Sequence, residues 1–202
     1  MKILLTGGSG LLGQELQKYL DCVAPSSEGL DITKDIVFGE DWDIVIHSAG
    51  YTDVPRAETE RVNCFKVNVT GTYNLVKAYP KAKFIFISSE YAHKPLNFYS
   101  FTKKWAEGIV KKLHSNYLII RTSFVSDPFP HDLAFADQYT QGDYIHIIAP
   151  MIATEILKDT NGLKYIGTER KTMFELARRT KPDISGNSVD DIKEVKLPKD
   201  YL

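Results

Sequence analysis

The chain has 202 residues, a size typical of one domain or of one domain with a small addition. Apolar residues make up 43% of the sequence and charged residues 25%, which excludes a mostly disordered protein. The formal net charge is −1, so no overall field favours binding to nucleic acid or to an anionic membrane, and neither is an expected partner.

The first apolar run and the cysteines bear on the compartment. The run that follows Met1 is too short for the core of a signal peptide, and no later run approaches membrane-spanning length. Cys22 and Cys64 are far apart and form neither a disulfide framework nor a zinc spacing, which favours reduced thiols. We therefore expect a cytoplasmic protein. The scattered histidines form no i, i+4 pair, so no metal site is expected.

Strand-like and helix-like segments alternate over the first part of the chain. Apolar runs predict strands at Lys2–Thr6, Cys22–Ala24, Asp43–His47, Lys83–Ser88 and Tyr117–Arg121. Helices are predicted between several of them, at Leu11–Leu20, Ala57–Ala78 and Tyr99–Leu113. Strands that are apolar along their whole length are buried on both faces, and their alternation with helices indicates parallel βαβ units. Because such crossovers are right-handed, we expect an α/β fold of the Rossmann type with a doubly wound parallel sheet.

The pattern weakens after a turn-rich break at Ser126–Pro130. We expect two parts: a main domain over residues 1–125, and a small C-terminal α/β appendage over residues 126–202. The clearest element of the appendage is a helix around Thr172–Arg179. Its expected role is to cover a cleft of the main domain.

A glycine-rich turn with the sequence TGGSGLLG follows the first strand and opens the first helix. It fits GxGxxG through Gly8, Gly10 and Gly13, and GxxGxxG when Gly7 replaces Gly8. Such glycines permit a tight turn, let the backbone approach a pyrophosphate and seat the helix on the sheet, while the helix N-terminus offers N–H groups to phosphates. We therefore expect residues 1–125 to bind NAD(P). The expected contacts in the turn are Gly7, Ser9, Gly10, Leu11, Leu12 and Gly13.

The segment after the second strand bears on the choice of cofactor. Ser26 and Ser27 carry neutral hydroxyls that tolerate an extra ribose phosphate, whereas an acidic residue there would favour NAD. We expect NADP(H) to be preferred, with NAD(H) as the alternative. Asp31 and Ile32 are candidate contacts to the adenine; the alternative for Asp31 is a loop aspartate that caps Thr33–Phe38. A later strand ends in small residues that would let the chain pass close to the cofactor, namely Ser48, Ala49 and Gly50.

A YxxxK motif, Tyr99–Lys103, stands at the start of a predicted helix. The i, i+4 spacing places the phenol and the ammonium on one helical face. A cation beside a phenol favours the phenolate and lowers a pKa that is about 10 in water, so Tyr99 could exchange a proton with a carbonyl or an alcohol. Ser88 and Ser89 end a buried strand, where ligands bind in doubly wound sheets. The alternative for both serines is capping of the strand end.

In combination, these segments resemble an extended short-chain dehydrogenase/reductase of the dTDP-4-dehydrorhamnose reductase branch. The resemblance covers about residues 1–125. The matching segments are the glycine turn, Leu30–Thr33, His47–Val54, Arg56–Glu58, Val67–Val69, Gly71–Thr72, Ile87–Tyr91, Tyr99–Lys103 and Ile120–Ser123.

The resemblance implies roles for single residues. Ser89, Tyr99 and Lys103 take the catalytic places, and Tyr99 and Lys103 also hold the cofactor. Glu90 stands where the branch has an acidic residue that assists the chemistry on the substrate, and Phe124 stands where an aromatic residue contacts the sugar. By the same resemblance, Thr52 lies beside the nicotinamide, and Asn68 is the helix asparagine that supports the active-site lysine.

The function implied by the resemblance is reduction of a keto-sugar nucleotide by NADP(H), with Tyr99 giving the substrate oxygen its proton. Two alternatives stay open: a nucleotide-sugar epimerase or dehydratase that retains NAD(P), and a non-catalytic NAD(P)-binding regulatory subunit. The chain departs from the branch in three ways. Nine residues separate Ser89 from Tyr99, Pro55 stands where the branch commonly has an acidic residue, and the carboxyl region is short. A homodimer, formed through helices beside the sheet, is common in the family.

Overall fold

The structure, a computed structural model, describes residues 1–36, 41–158 and 160–200. The first elements in chain order are β1 (Ile3–Thr6), α1 (Leu11–Leu16), β2 (Ile44–His47), α2 (Val54–Ala57), α3 (Arg61–Phe65), α4 (Gly71–Ala78), β3 (Lys83–Ser89), α5 (Phe98–Leu113) and β4 (Tyr117–Thr122). The chain continues with β5 (Phe124–Val125), β6 (Leu133–Phe135), β7 (Tyr139–Thr140), β8 (Asp143–Tyr144), α6 (Ile145–Ile156), β9 (Gly162–Tyr165), β10 (Lys171–Thr172), α7 (Met173–Ala177) and β11 (Ser185–Asn187). None of the helices in these described ranges is long and apolar enough to cross a membrane.

Five parallel strands form the central sheet, in the order β1-β2-β3-β4-β9. On the side of β1 that faces away from β2, Leu4 forms a parallel bridge with Val23. The chain therefore leaves β1 towards one side and returns to β2 on the other. This reversal of direction is the topological switch point at which ligands bind in open α/β sheets. The α/β fold of the Rossmann type that the sequence predicts is confirmed.

Both faces of the sheet are covered by helices. Alternate strand residues such as Leu5, Ile46 and Ile85 pack against α1 and α6 on one face. The residues between them, such as Val45 and Phe84, pack against α4 and α5 on the other. This burial on both sides explains why the strands read as continuous apolar runs.

Four of the five predicted strands are confirmed to within a residue or two, but the segment Cys22–Ala24 forms only the single bridge at Val23. The predicted helix Ala57–Ala78 is divided. It starts earlier, at Val54, because Asp53 caps the first turn through the Arg56 N–H and a proline fits there. A π-helical turn over Lys66–Thr70 then joins α3 to α4. The spacing of apolar residues in the sequence does not distinguish such a π-helical turn from an α-helical turn, because residues of the same kinds form both.

The chain after residue 125 contributes a strand to the central sheet and a helix to the layer that covers it. Helix α6, which the sequence analysis did not identify, covers one face of the sheet, and β9 pairs with β4. The short strand pairs β5–β8, β6–β11 and β7–β10 form the remainder, around a separate core that includes Phe129 and Leu176. The helix predicted around Thr172–Arg179 is present as α7, with Thr172 and Glu175 forming a capping box. The division at residue 125 stays a prediction.

Candidate active site

A cleft of about 1250 Å³ lies at the carboxyl ends of the strands. Its walls include the glycine turn, the residues that follow β2, β3 and β4, and parts of the chain from Phe124 to Leu197. The cleft includes the switch point beside β1, because the carboxyl ends of all the parallel strands lie on the same side of the sheet. Most of the residues that the sequence predicts for the site lie here.

The glycine turn owes its shape to two close approaches. Gly7 has φ +75°, and a Cβ there would lie 2.6 Å from the backbone nitrogen of Ala49. At Gly13 a Cβ would lie 2.1 Å from the carbonyl oxygen of Gly7, so this glycine seats α1 under the turn and does not line the cleft. The other predicted contacts in the turn do line it, namely Gly7, Ser9, Gly10, Leu11 and Leu12.

Three residues that the sequence predicts to contact the cofactor, Ser27, Asp31 and Ile32, line the cleft. Ser26 is not one of the lining residues; its hydroxyl accepts a hydrogen bond from the Gly29 N–H at 3.2 Å. Asp31 accepts hydrogen bonds from the hydroxyl and the N–H of Thr33, at 2.7 and 3.0 Å, which lower its pKa to about 2. Asp31 therefore combines a capping contact with a place in the cleft. The end of the segment that it was predicted to cap, at Phe38, lies outside the described residues.

The loop after β2 forms another part of the wall of the cleft. Ser48, Ala49, Gly50 and Thr52 all line the cleft. Asn68 fixes this loop from both sides: its Oδ1 accepts from the Tyr51 N–H at 2.8 Å, and its Nδ2 donates to the Tyr51 carbonyl at 3.1 Å. The same Nδ2 donates to Thr102 Oγ1 on α5 at 3.0 Å. Asn68 thus ties the loop to the helix that carries Lys103; direct support of the lysine stays a prediction.

His47, at the end of β2, is a buried residue to which the sequence analysis gave no role. Its Nδ1 lies 2.9 Å from Thr6 Oγ1, and its Nε2 lies 3.0 Å from Thr72 Oγ1. The Thr72 hydroxyl donates to the Asn68 carbonyl, so Nε2 carries the proton and Nδ1 accepts from Thr6. Burial lowers the pKa of His47 to about 3, and it is therefore neutral. In the sequence, the only indication of a role for His47 was its position as a polar residue at the end of an apolar strand.

The three predicted catalytic residues are brought together. Tyr99 lies in the first turn of α5, which Asn97 and Ser100 cap. Its phenol interacts with the Ser89 side chain, which lowers the pKa of the phenol. One helical turn later, the Lys103 Nζ donates to the carbonyl oxygen of Ile87 at 2.7 Å. Ser89, Tyr99 and Lys103 all line the same cleft as the glycine turn.

The electrostatics of this pair differ from the sequence-based prediction. Burial raises the pKa of Tyr99 to about 12, and the interaction with the Ser89 side chain offsets only part of that rise. The lowered phenol pKa expected from a neighbouring cation is therefore wrong for this structure. Burial also lowers the pKa of Lys103 to about 8, against the opposing charge of Glu107. Near neutral pH the site thus holds a protonated phenol, which is the form that donates a proton.

The two predicted substrate contacts lie in different places. Phe124 lines the cleft. Glu90 is not among the lining residues; its carboxylate accepts from Thr140 Oγ1 at 2.8 Å and from the Gln141 N–H at 3.2 Å. Burial raises the pKa of Glu90. The residue holds the turn after β7 in place, and its predicted role in the chemistry has no geometric support.

A Rossmann-type sheet with a glycine-rich turn and a YxxxK helix beside a serine at a strand end defines an extended short-chain dehydrogenase/reductase. Residues 1–136 match the RmlD substrate binding domain family, and the chain belongs to that family.

Two curated relatives are dTDP-4-dehydrorhamnose reductases. That of Aggregatibacter actinomycetemcomitans is 29% identical over 150 residues, covering 61% of this chain and 51% of its own length. That of Mycolicibacterium smegmatis is 32% identical over 149 residues, covering 61% of this chain and 46% of its own length. The chain thus spans about half the length of the curated relatives that it matches.

Solved structures resemble the whole chain. A dTDP-4-dehydrorhamnose reductase from Bacillus anthracis in complex with NADP superposes with a TM-score of 0.87 at 25% identity, covering 100% of this chain and 88% of that chain. A hypothetical dTDP-4-dehydrorhamnose reductase from Sulfolobus tokodaii gives a TM-score of 0.82 at 26% identity, covering 100% of this chain and 91% of that chain.

Proposed function

We propose that the chain is an NADP(H)-preferring reductase that acts on the keto group of a nucleotide sugar. The observation that carries this proposal is the convergence of Ser89, Tyr99 and Lys103 in the cleft that the glycine turn also lines. Support comes from the relatives, which are named dTDP-4-dehydrorhamnose reductases, and from a similar structure in complex with NADP.

The residues present fit a dinucleotide. A Cβ at Gly10 would meet only the Gly7 carbonyl, at 3.3 Å, so the turn leaves room for a phosphate to approach the backbone. Ser27 would face the ribose, where its hydroxyl accommodates the extra phosphate of NADP. The carboxylate of Asp31 is already engaged by Thr33 and by Lys34 at 3.1 Å, which weakens its repulsion of that phosphate. A bound nicotinamide would supply the hydride.

The chain's own residues would manage the proton. The Tyr99 phenol, protonated because burial raises its pKa to about 12, would donate its proton to the carbonyl oxygen of the substrate. The Ser89 hydroxyl, which lines the same cleft and interacts with that phenol, would orient the same oxygen. The Lys103 ammonium would stabilise the phenolate that remains, and would hold a ribose hydroxyl with another of its donors.

The test is to mix the protein with NADPH and a panel of 4-keto nucleotide sugars and to follow the absorbance of the reduced nicotinamide. Tyr99→Phe should lose roughly 100-fold or more of the activity and keep its affinity for NADPH, because only the acidic hydroxyl is removed. Tyr73→Phe, at an exposed tyrosine, is the matched control. Conversion of the sugar without net NADPH consumption would indicate an epimerase or dehydratase instead. Bound cofactor without any turnover would indicate a regulatory subunit.

We also propose that the chain forms a homodimer through the outer face of α5. Phe101 and Trp105 are 54% and 61% exposed, and Val62 on α3 is 84% exposed. The Phe65 ring packs edge-on against Trp105 at 5.5 Å and extends this apolar surface, which is of the kind that marks an interface. Light scattering should give twice the chain mass for the wild type and one chain mass for Trp105→Glu. Leu157→Glu, at an exposed leucine of a different helix end, should leave the dimer intact.

The cytoplasm is the compartment that we propose. Cys22 and Cys64 are both free thiols, as expected in a reducing compartment. Fractionation of cells should recover the chain with cytoplasmic marker enzymes, and recovery with membranes would contradict the proposal.

A further inference from the structure

The face of α5 that carries Tyr99 and Lys103 continues to a third buried polar residue, Glu107. A spacing of four residues aligns the three side chains along one side of the helix. Glu107 is 1% exposed, so its carboxylate needs partners within the protein. The YxxxK motif does not account for it.

Besides a 4.0 Å ion pair with exposed Lys104 on the same helix, the partners of Glu107 come from two strands. Arg121 on β4 donates from Nε to Oε1 and from Nη2 to Oε2, both at 2.8 Å. Ser88 on β3 donates from Oγ to Oε1 at 2.7 Å. Ser88 and Arg121 are themselves register partners across the two strands. A two-point pair of this kind fixes direction as well as distance, so one carboxylate joins α5, β3 and β4.

The end of β3 is thereby attached to α5 at three consecutive residues. Each of them meets a different turn of the helix, Ile87 and Ser88 through hydrogen bonds and Ser89 through its interaction with the phenol. The pairs are Ser89 with Tyr99, Ile87 with Lys103 and Ser88 with Glu107. The position of the Ser89 hydroxyl relative to the phenol therefore depends on the contact at Glu107.

A buried ion pair is a weak source of stability, because an apolar pair of similar volume is often as stable. The Glu107–Arg121 pair supplies something that an apolar pair does not, which is a negative charge one turn from Lys103. That charge raises the pKa of Lys103 against the effect of burial. In the described part of the chain, the other titratable groups that interact electrostatically with the ammonium are Cys64 on α3 and neutral His47 on β2, and the Arg121 guanidinium on β4 lies 2.8 Å from the Glu107 carboxylate.

We propose that Glu107, clamped by Arg121 and Ser88, is a positioning residue that keeps the buried Lys103 charged and holds Ser89 against Tyr99. The inference rests on the proposed reductase function, since a charged lysine matters for a reaction only if the phenol transfers a proton. Its test therefore includes a measurement that needs no turnover.

The test is an NMR titration of the protein labelled with ¹³C at the lysine Cε, with the Lys103 signal assigned by its loss in Lys103→Arg. Glu107→Gln should lower the titration midpoint of Lys103 by roughly one pH unit, as expected when a nearby opposite charge is removed. Asp21→Asn removes an exposed carboxylate in the segment that follows α1 and should leave the midpoint unchanged. The alkaline limb of kcat/KM should move down in pH by the same amount as the midpoint in Glu107→Gln. An unchanged midpoint would overturn the proposal.

Glu107→Gln leaves the Arg121 guanidinium buried without its counter-ion, which can prevent folding. The double variant Glu107→Leu/Arg121→Leu removes both charges and keeps the site filled. Its Lys103 midpoint should also fall, by less than that of Glu107→Gln because the opposing Arg121 charge is removed as well, and a midpoint equal to the wild type would again overturn the proposal. If the wild type consumes no NADPH with any keto sugar, the proposed function fails, whereas the titration still decides the effect of Glu107 on Lys103.

Discussion

The Lys103 ammonium donates to the carbonyl oxygen of Ile87 at 2.7 Å, two residues before Ser89. The lysine is therefore held by the strand that presents the serine. It also lies 4.5 Å from the centre of the Phe86 ring, so the strand supplies both a hydrogen bond and a cation–π contact. The ammonium is thus held at a buried position, because Lys103 is only 6% exposed.

Replacement of Lys103 by methionine should separate the effect of the lysine's charge on kcat from the effect of its size. Lys103→Met keeps the length of the side chain and should lower kcat by roughly 100-fold, because the phenolate that forms in the reaction loses its neighbouring cation. Steady-state kinetics with NADPH and the best keto sugar would measure this loss. Lys112→Met, at an exposed lysine of the same helix, should retain the wild-type kcat. Equal kcat values for the two variants would remove Lys103 from the proposed mechanism.

Gly7 should tolerate no side chain. Its φ of +75° and the 2.6 Å approach to Ala49 mean that Gly7→Ala is both strained and overpacked, at a cost of about 2–4 kcal/mol in unfolding free energy. NADPH binding should weaken as well, because the turn must shift. Gly108→Ala is the matched control: a Cβ there meets nothing within 4 Å, and alanine favours the helix by up to about 1 kcal/mol. Urea unfolding and fluorescence titration of NADPH would measure both effects.

The part of the fold and site that follows from local sequence was predicted well. Continuous apolar runs identified four central strands, because residues such as Val45 and Phe84 are buried whichever face they point to. Tyr99 and Lys103 meet Ser89 because a helix start and a strand end are adjacent in a βαβ unit. No long-range information was needed for either result.

What escaped prediction depends on distant contacts. Strand β9 is a half-buried edge strand whose place beside β4 is set by tertiary pairing. Glu90 is turned from the cleft by Thr140, fifty residues away in the sequence. The pKa of Tyr99 is raised by burial, which no motif encodes. In each case the position or the pKa is set by burial or by contacts with residues outside the motif.

Glu90 should behave as a structural residue. Glu90→Gln keeps the volume and an acceptor for Thr140, and it removes a carboxyl whose pKa burial has raised. We expect kcat and the KM for the sugar to change less than about threefold, whereas an acid in the chemistry would cost roughly 100-fold or more. Glu90→Ala should lower the unfolding free energy by about 1–3 kcal/mol, because the Thr140 hydroxyl and the Gln141 N–H lose their acceptor. A large loss of kcat in Glu90→Gln would restore the role that the resemblance implies.

His47 should make the protein sensitive to acid. Its pKa is about 3 in the folded chain and about 6.5 when unfolded, so the unfolded state binds more protons between these values. The stability that the neutral ring contributes is present above pH 6.5 and is lost as the pH falls towards 3, with a slope of roughly 1.4 kcal/mol per pH unit. Urea unfolding at a series of pH values should show this slope in the wild type and a shallower one in His47→Gln. His146→Gln, at a half-exposed histidine, should keep the wild-type slope, and a wild-type slope in His47→Gln would show that the buried ring is not the group that titrates.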